Sequence, residues 1–232
     1  MILALSPHLD DVVFSVGGYL YERAGAGARV EGVTVFTQSV PNPTGFALAC
    51  QLDKGLDEAV DYMKVRRAED MEACRMLGIE PVHWDFREAP HRGYNSAAEL
   101  FAGIQPTDDL NSEELRVKLA NYFRKVNPTE VLYPFGAGDH VDHLQLIAAV
   151  HALRPDFPNI TFRQFYDMPY ARKFAERYPE LERGGAVERI ELSAEAFERK
   201  MAACAAYGTQ VGFQFGGVGR IGEVLGRVEY LR

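Results

Sequence analysis

Two stretches, one at the start of the chain and one past its middle, share one pattern: a short apolar run, a turn that gathers histidine and aspartate, then an apolar segment of helix length. The first is Ile2–Gly18, ILALSPHLDDVVFSVGG. Ile2 to Leu5 read as a buried strand, and Ser6-Pro7 ends it, because proline offers no amide donor and fixes φ. His8, Asp10 and Asp11 fall in the next turn, at the carboxyl end of a strand and the mouth of a helix, where open α/β sheets hold their ligands. His8 and Asp11 are three apart, so if the turn runs on into the helix they share a face and can reach one cation, with Asp10 beside it. In the second stretch, Glu130–Phe135 is again an apolar strand, followed by the turn GAGD and the helix-length HVDHLQLIAAVHAL. His140 and His143 stand three apart at that helix's start, with Asp142 between them. Two such junctions together compose a plausible metal site.

A single acid in such a place is most often a helix cap: Asp10 or Asp11 could cap the first helix, and Asp139 the second. Capping accounts for one acid per helix. It does not account for two acids with a histidine in one turn and two histidines in the other.

Between and beyond these boxes, strand and helix signals alternate. Asp11–Ala24 reads as a helix ended by Gly25-Ala26-Gly27, and Gly17-Gly18 within it, costing about 1 kcal/mol each against alanine, implies a close approach of backbone to a neighbour. Val30–Thr37 is a β-branched strand, Ser39–Gly55 a loop, Asp57–Leu77 a long helix stopped by Gly78 and Pro81, and Val82–Phe86 a strand. Arg87–Leu110 is too long and irregular for a simple connector, and its His91, Arg92 and Tyr94 are candidate contacts for a sugar or an acidic group, against the alternative that they are solvated loop residues. Asn111 with Glu114 marks the start of a helix over Ser112–Val126. Thr161–Tyr166 and Val187–Leu192 read as strands, Pro169–Tyr178 as a short helix, and Ser193 as the cap of a helix through about Ala206. No repeat, low-complexity tract or linker divides the chain, so the expectation is one domain over residues 1–232: a Rossmann-like three-layer α/β/α sandwich with a mainly parallel sheet.

The two boxes carry a resemblance. SPHLDD followed by Gly17-Gly18 resembles the N-terminal signature, PHPDDE, of the LmbE-like or PIG-L family of metal-dependent N-deacetylases, and GDHVDH is similar to its second motif, HPDH or HVDH, about 130 residues on. Weaker echoes are Arg66-Arg67-Ala68-Glu69 with Leu77-Gly78, the HWDF strand, and Lys200, Tyr207 and Gln210. Leu9 stands where the commoner pattern has proline, and Val12 where it has glutamate; neither is an expected ligand. The resemblance implies the same three-layer fold. It further implies that His8, Asp11 and His143 hold the metal, Zn²⁺ or else Fe²⁺ or another divalent transition ion. Asp10 is then the general base, His140 the stabiliser of the oxyanion, and Asp142 the group that orients a histidine. The implied reaction removes the N-acetyl group from an N-acetylglucosamine-type sugar or sugar conjugate, a small-molecule partner. Two alternatives stay open: a metal-dependent amidase acting on a non-sugar amide, and a catalytically silent protein that retains the metal.

Other features restrict the function without naming it. A net charge of −8 argues against nonspecific nucleic-acid binding, which needs clustered lysine and arginine. Cys50, Cys74 and Cys204 are odd in number and widely spaced, which fits a reducing compartment without a disulfide framework. With no signal-peptide pattern and no apolar run of spanning length or membrane anchor, the expected location is cytoplasmic. Gly217–Gly222 matches G-x-G-x-x-G, but only ten residues follow it, too few for a βαβ unit, so it reads as a flexible turn. His83 and His151 lie in apolar segments and read as satisfied structural histidines.

Overall fold

A computed structural model of the chain describes residues 1–183 and 186–232. Its strands are β1 (Ile2–Ser6), β2 (Val30–Thr34), β3 (Glu80–His83), β4 (Glu130–Pro134), β5 (Thr161–Phe165), β6 (Glu188–Glu191) and β7 (Val228–Leu231). The helices are α1 (Asp11–Gly25), α2 (Gly45–Asp53), α3 (Tyr62–Leu77), α4 (Ala97–Leu100), α5 (Ser112–Val126) and α6 (Val141–Leu153), then α7 (Tyr170–Lys173), α8 (Glu180–Arg183), α9 (Ala194–Ala205), α10 (Gly208–Phe215) and α11 (Ile221–Leu225). The strands form one sheet in the order β3-β2-β1-β4-β5-β7-β6. The first five run parallel; β7 is antiparallel to both its neighbours.

Alternation along the central strands builds the layers. In β1, Ile2 and Ala4 join one apolar cluster with α1, α3 and α9, while Leu3 and Leu5 join a second with α5 and α6. In β4, Leu132 faces the first cluster, and Val131 and Tyr133 the second. A strand buried on both faces needs helices on both sides, which is the three-layer arrangement expected from the sequence.

The order places β1 beside β4, with β2 and β3 running outward from one and β5 from the other. That is a switch point, where the loops leaving the two strands part to opposite sides and open a crevice. The α1 helix beginning at its edge is kinked at Val16, and the N–H groups of Gly18 and Tyr19 freed there donate to the Glu229 carboxylate of β7 at 2.9 and 2.7 Å. Lys200 of α9 neutralises that buried carboxylate at 2.7 Å. The glycine pair fits the close approach expected of it: a methyl group on Gly17 would stand 3.0 Å from Leu77, and one on Gly18 would overlap Leu192.

Several elements depart from the sequence reading. The segment read as a loop over Ser39–Gly55 contains α2, which follows the turn formers and starts at Gly45. The long helix begins at Tyr62, not Asp57, because the Asp61 side chain accepts from the Lys64 N–H and caps it there. The region over Pro169–Tyr178 is two single turns, α7 and a 3-10 turn, not one helix. Gly217–Gly222 is not a free turn: it runs through a 3-10 turn into α11, and β7 follows. Among the described residues, no helix is long and apolar enough to cross a membrane.

Candidate active site

Both motif turns open at the switch point, and the structure brings all six expected residues together there. His8, Asp10, Asp11, His140 and Asp142 line one cavity of about 770 Å³, and His143, 1% exposed, lies against Asp11. Neither acid of the first turn caps α1. Asp10 occupies the N-cap position without a side-chain cap bond, and Asp11 accepts from the His8 N–H at 2.8 Å. In the second turn His140 is the N-cap of α6, while Asp139 points outward to Arg177 at 2.6 Å.

For the neutral rings, hydrogen-bond partners indicate which imidazole nitrogen carries the proton. Asp142 is fully buried; burial opposes its charge, but the His8 bond and Arg92 hold its carboxyl well below the usual range, so it is an anion that only accepts. In the neutral ring His8 therefore donates through Nε2 to Asp142 at 2.8 Å, and its Nδ1 stands 3.4 Å from Asp11 Oδ2. His143 donates through Nδ1 to Asp167 at 2.6 Å, leaving Nε2 3.3 Å from the same Asp11 oxygen. That Nε2 is buried without a hydrogen-bond partner. Three donors on tetrahedral bonds of 2.0–2.1 Å stand about 3.3–3.4 Å apart. Both separations from Asp11 Oδ2 match that edge.

His140 differs. Its Nδ1 accepts from the Asp142 N–H at 3.2 Å, so in the neutral ring the hydrogen sits on Nε2. Its nitrogen, with one each from His8 and His143, falls in a group whose members lie within 4.8 Å of one another, and such a cluster suits a divalent ion. A ring already carrying Nε2–H is a donor, however, and would have to shed that proton to ligate.

The charge around the histidines favours a cation. The carboxylates of Asp11, Asp142 and Asp167 and the carboxyl group of Asp10, all buried, face two buried guanidiniums, Arg66 and Arg92. In the metal-free protein the histidines answer part of this excess. Burial disfavours the charged ring of His143, yet the Asp11 and Asp167 carboxylates outweigh it and push its pKa up to about 10. His8 is raised for the same reason, whereas burial and the neighbouring His8 and His143 charges hold His140 neutral. Burial, then the Asp11 charge, pushes Asp10 up to about 8 against the pull of Arg66, whose nearest guanidinium nitrogen is 3.9 Å away. A divalent ion beside it lowers it again.

The expected substrate contacts on the 87–110 segment are corrected. Arg92 is 3% exposed and turned inward, gripping Asp108 at 2.8 and 3.1 Å and pairing with Asp142 Oδ1 at 2.7 Å. Tyr94 is fully buried and donates to Asp108 at 3.0 Å. His91 is partly exposed but does not line the cavity. The segment supports Asp142 from behind, and its Ala89 N–H adds a bond to Asp142 Oδ2 at 3.1 Å. The remaining histidines are satisfied as expected, His83 by Asp70 at 2.7 Å and His151 by Tyr133 at 3.2 Å, and the three cysteines are free.

This chain matches the family of GlcNAc-PI de-N-acetylases, PIG-L, over residues 3–153, which contains both motif turns and the strands that carry them. It belongs to the PIG-L family. It is 34% identical over 171 residues, 73% of its length, to a 2'-N-acetylparomamine deacetylase from Streptomyces fradiae, and it spans 57% of that protein. Among solved structures it resembles the A40926 pseudoaglycone deacetylase Dbv21, with 30% identity and a TM-score of 0.76 over 91% of this chain and 83% of the other. The zinc-inhibited form of teicoplanin deacetylase Orf2 shares the fold, with a TM-score of 0.84 at 24% identity over 99% and 96% of the two chains.

In this PIG-L chain, several residues at the site had no signal in the two motifs. Asp167, just past β5, holds His143 and also accepts the Gly136 and Ala137 N–H groups at 2.7 and 2.8 Å, tying the second motif's turn to the next strand. A buried acid following an aromatic strand end, TFRQFYD, was the one cue. Arg66, in the weak Arg-Arg-Ala-Glu echo, bonds Glu88 at 2.5 Å and borders Asp10. Of the other echoes, Gln210 donates to Tyr62 at 2.9 Å on the cavity wall. Lys200 and Tyr207 are structural, bonding Glu229 and Asp70.

Proposed function

We propose that the protein is a metal-dependent N-deacetylase that hydrolyses the acetamide of an N-acetylated amino sugar or sugar conjugate, of the N-acetylglucosamine type. The observation that carries this reading is the placement of His8 Nδ1 and His143 Nε2 at 3.4 and 3.3 Å from the one Asp11 Oδ2, beside an uncapped Asp10. Two named deacetylases among its relatives support the reaction class.

In this reading His8, Asp11 and His143 hold the ion, with Zn²⁺ first and Fe²⁺ suited to the same nitrogen and oxygen donors. Such an ion lowers the pKa of a water to about 7 and polarises the acyl carbonyl. Asp10, with no hydrogen bond of its own to satisfy, accepts the water's proton and returns one to the departing amine. Its neighbour Arg66 keeps a positive charge near the carboxylate. His140, held neutral and oriented by the Asp142 N–H, points an N–H at the oxygen where negative charge develops. Asp142 and Asp167 fix the ring orientations of His8 and His143.

The test is kinetic, on a panel of N-acetylated amino sugars with and without added Zn²⁺. Asp10→Asn keeps the size and removes the basicity, so kcat falls by roughly 10²–10⁴ while metal content stays near that of the wild type. An Asp10→Asn enzyme of undiminished kcat contradicts the assignment of the base. Turnover of non-sugar amides alone transfers the reading to an amidase.

A further inference from the structure

The cavity at the switch point is larger than its chemistry requires. About 770 Å³ is room for a drug-sized ligand, more than one pyranose ring and its acetamide occupy. Its outer part is also unusual in composition. Among the described residues, the three phenylalanines left open to solvent are Phe101 after α4, Phe174 after α7 and Phe213 on α10, exposed by 38%, 38% and 59%, and all three stand on this one rim. Exposed aromatic rings brought from three separate elements to one mouth mark a binding surface.

Two ammonium groups accompany them. Lys54, at the end of α2, has a side chain only 10% exposed and lies over the Phe213 ring at 3.4 Å; its one carboxylate, Asp53, is 3.4 Å away and turned to solvent. Lys173 reaches Gln214, the next residue of α10, at 3.3 Å, and no carboxylate among the described residues pairs with it. The third cation of the rim, Arg177, is already neutralised by Asp139.

We propose that this outer part is a subsite for a planar aromatic group bearing a carboxylate, attached to the amino sugar that the inner part deacetylates. The proposal rests on the reading given under Proposed function for the inner part only. An aryl ring stacks on the phenyl faces, and its acid meets the ammonium groups flanking α10. An alkyl chain would desolvate those ammonium groups without answering their charge. A neutral second sugar can stack its C–H face on a phenyl ring, but it brings no charge to answer the ammonium groups.

The experiment compares kcat/KM for N-acetylglucosamine and for its octyl, phenyl and 4-carboxyphenyl β-glycosides, using the metal-loaded enzyme. The carboxyphenyl glycoside is expected to exceed the free sugar by roughly tenfold or more, and Phe213→Ala to reduce that ratio toward one. Lys173→Gln removes the preference for carboxyphenyl over phenyl. The proposal is overturned if the octyl glycoside is the best substrate, if all four are used alike, or if Phe213→Ala lowers every rate equally. Should no N-acetyl sugar be hydrolysed, the deacetylase reading fails by itself; calorimetric binding of 4-carboxyphenyl glucosaminide, weakened by Phe213→Ala, then still decides the subsite.

Discussion

The two histidines nearest Asp11 are held by the same device built from different materials. His8 leans on Asp142, whose charge is answered by the Arg92 guanidinium from the 87–110 segment. His143 leans on Asp167, whose charge is answered by two backbone N–H groups in its own strand–helix turn. The first arrangement joins His8 to a distant segment through a buried ion pair. The second is local to β4 and β5 and uses no arginine. The geometry at the histidines is the same, so the two supports are expected to differ in what they contribute to folding more than in how they set the rings.

The largest effect should separate those contributions. In Asp142→Asn or Asp167→Asn the new amide can offer an N–H to the ring, which favours hydrogen on the nitrogen needed for the ion. Each substitution is therefore expected to weaken metal affinity by roughly 10–100-fold in calorimetric titration. Their stabilities should diverge. Asp142→Asn takes one of two buried carboxylates from Arg92, leaving Asp108, and costs roughly 3 kcal/mol in urea unfolding, whereas Asp167→Asn loosens two backbone N–H bonds and costs about 1–2 kcal/mol. Equal stability losses would remove the distinction between the supports.

How far this was legible from the sequence follows the same division. β1 and β4 were readable because an uninterrupted apolar run with a proline or glycine stop admits few other structures, and the motif residues sit directly after them. Asp142 was legible because it lies between the two histidines. Asp167 was not, since its partner is 24 residues away and only the pairing of β4 with β5 brings it there. Arg92 was noticed and turned the wrong way: an irregular segment suggests exposed side chains, and nothing local shows that Asp108 and Asp142 wait beneath it. β7 was missed because four residues after a glycine-rich stretch carry little pattern, although its Glu229 supports the kink of α1.

A smaller effect concerns pH in the metal-free protein. His143, raised from 6.5 to about 10, contributes stability that is fully present below about pH 6.5 and is lost as pH rises through about 10. Thermal unfolding of metal-free protein should therefore shift to lower temperature between pH 7 and 10, and saturation with the ion, which replaces the proton, should flatten that dependence. The same slope with and without metal would mean that the ion does not take the place of the His143 proton.

The smallest effect is at the far end of the His8 support. Tyr94→Phe removes the hydroxyl that donates to Asp108 and accepts from the Gln105 N–H, so about 1–2 kcal/mol of stability is expected to be lost with metal affinity unchanged. A drop in affinity would show that the chain from Tyr94 through Arg92 to Asp142 transmits more strain to His8 than its packing suggests.

The proposed role of Asp11 as a ligand rests on its 3.4 and 3.3 Å separations from His8 and His143, that of His140 as a donor on the Asp142 N–H at its Nδ1, and metal content reads both directly. Purified His140→Ala and Asp11→Ala, dialysed against metal-free buffer and measured by elemental analysis, should differ: His140→Ala keeps about one ion per chain, and Asp11→Ala loses it. Retention by Asp11→Ala together with loss from His140→Ala would contradict the account and make the three histidines the ligand set.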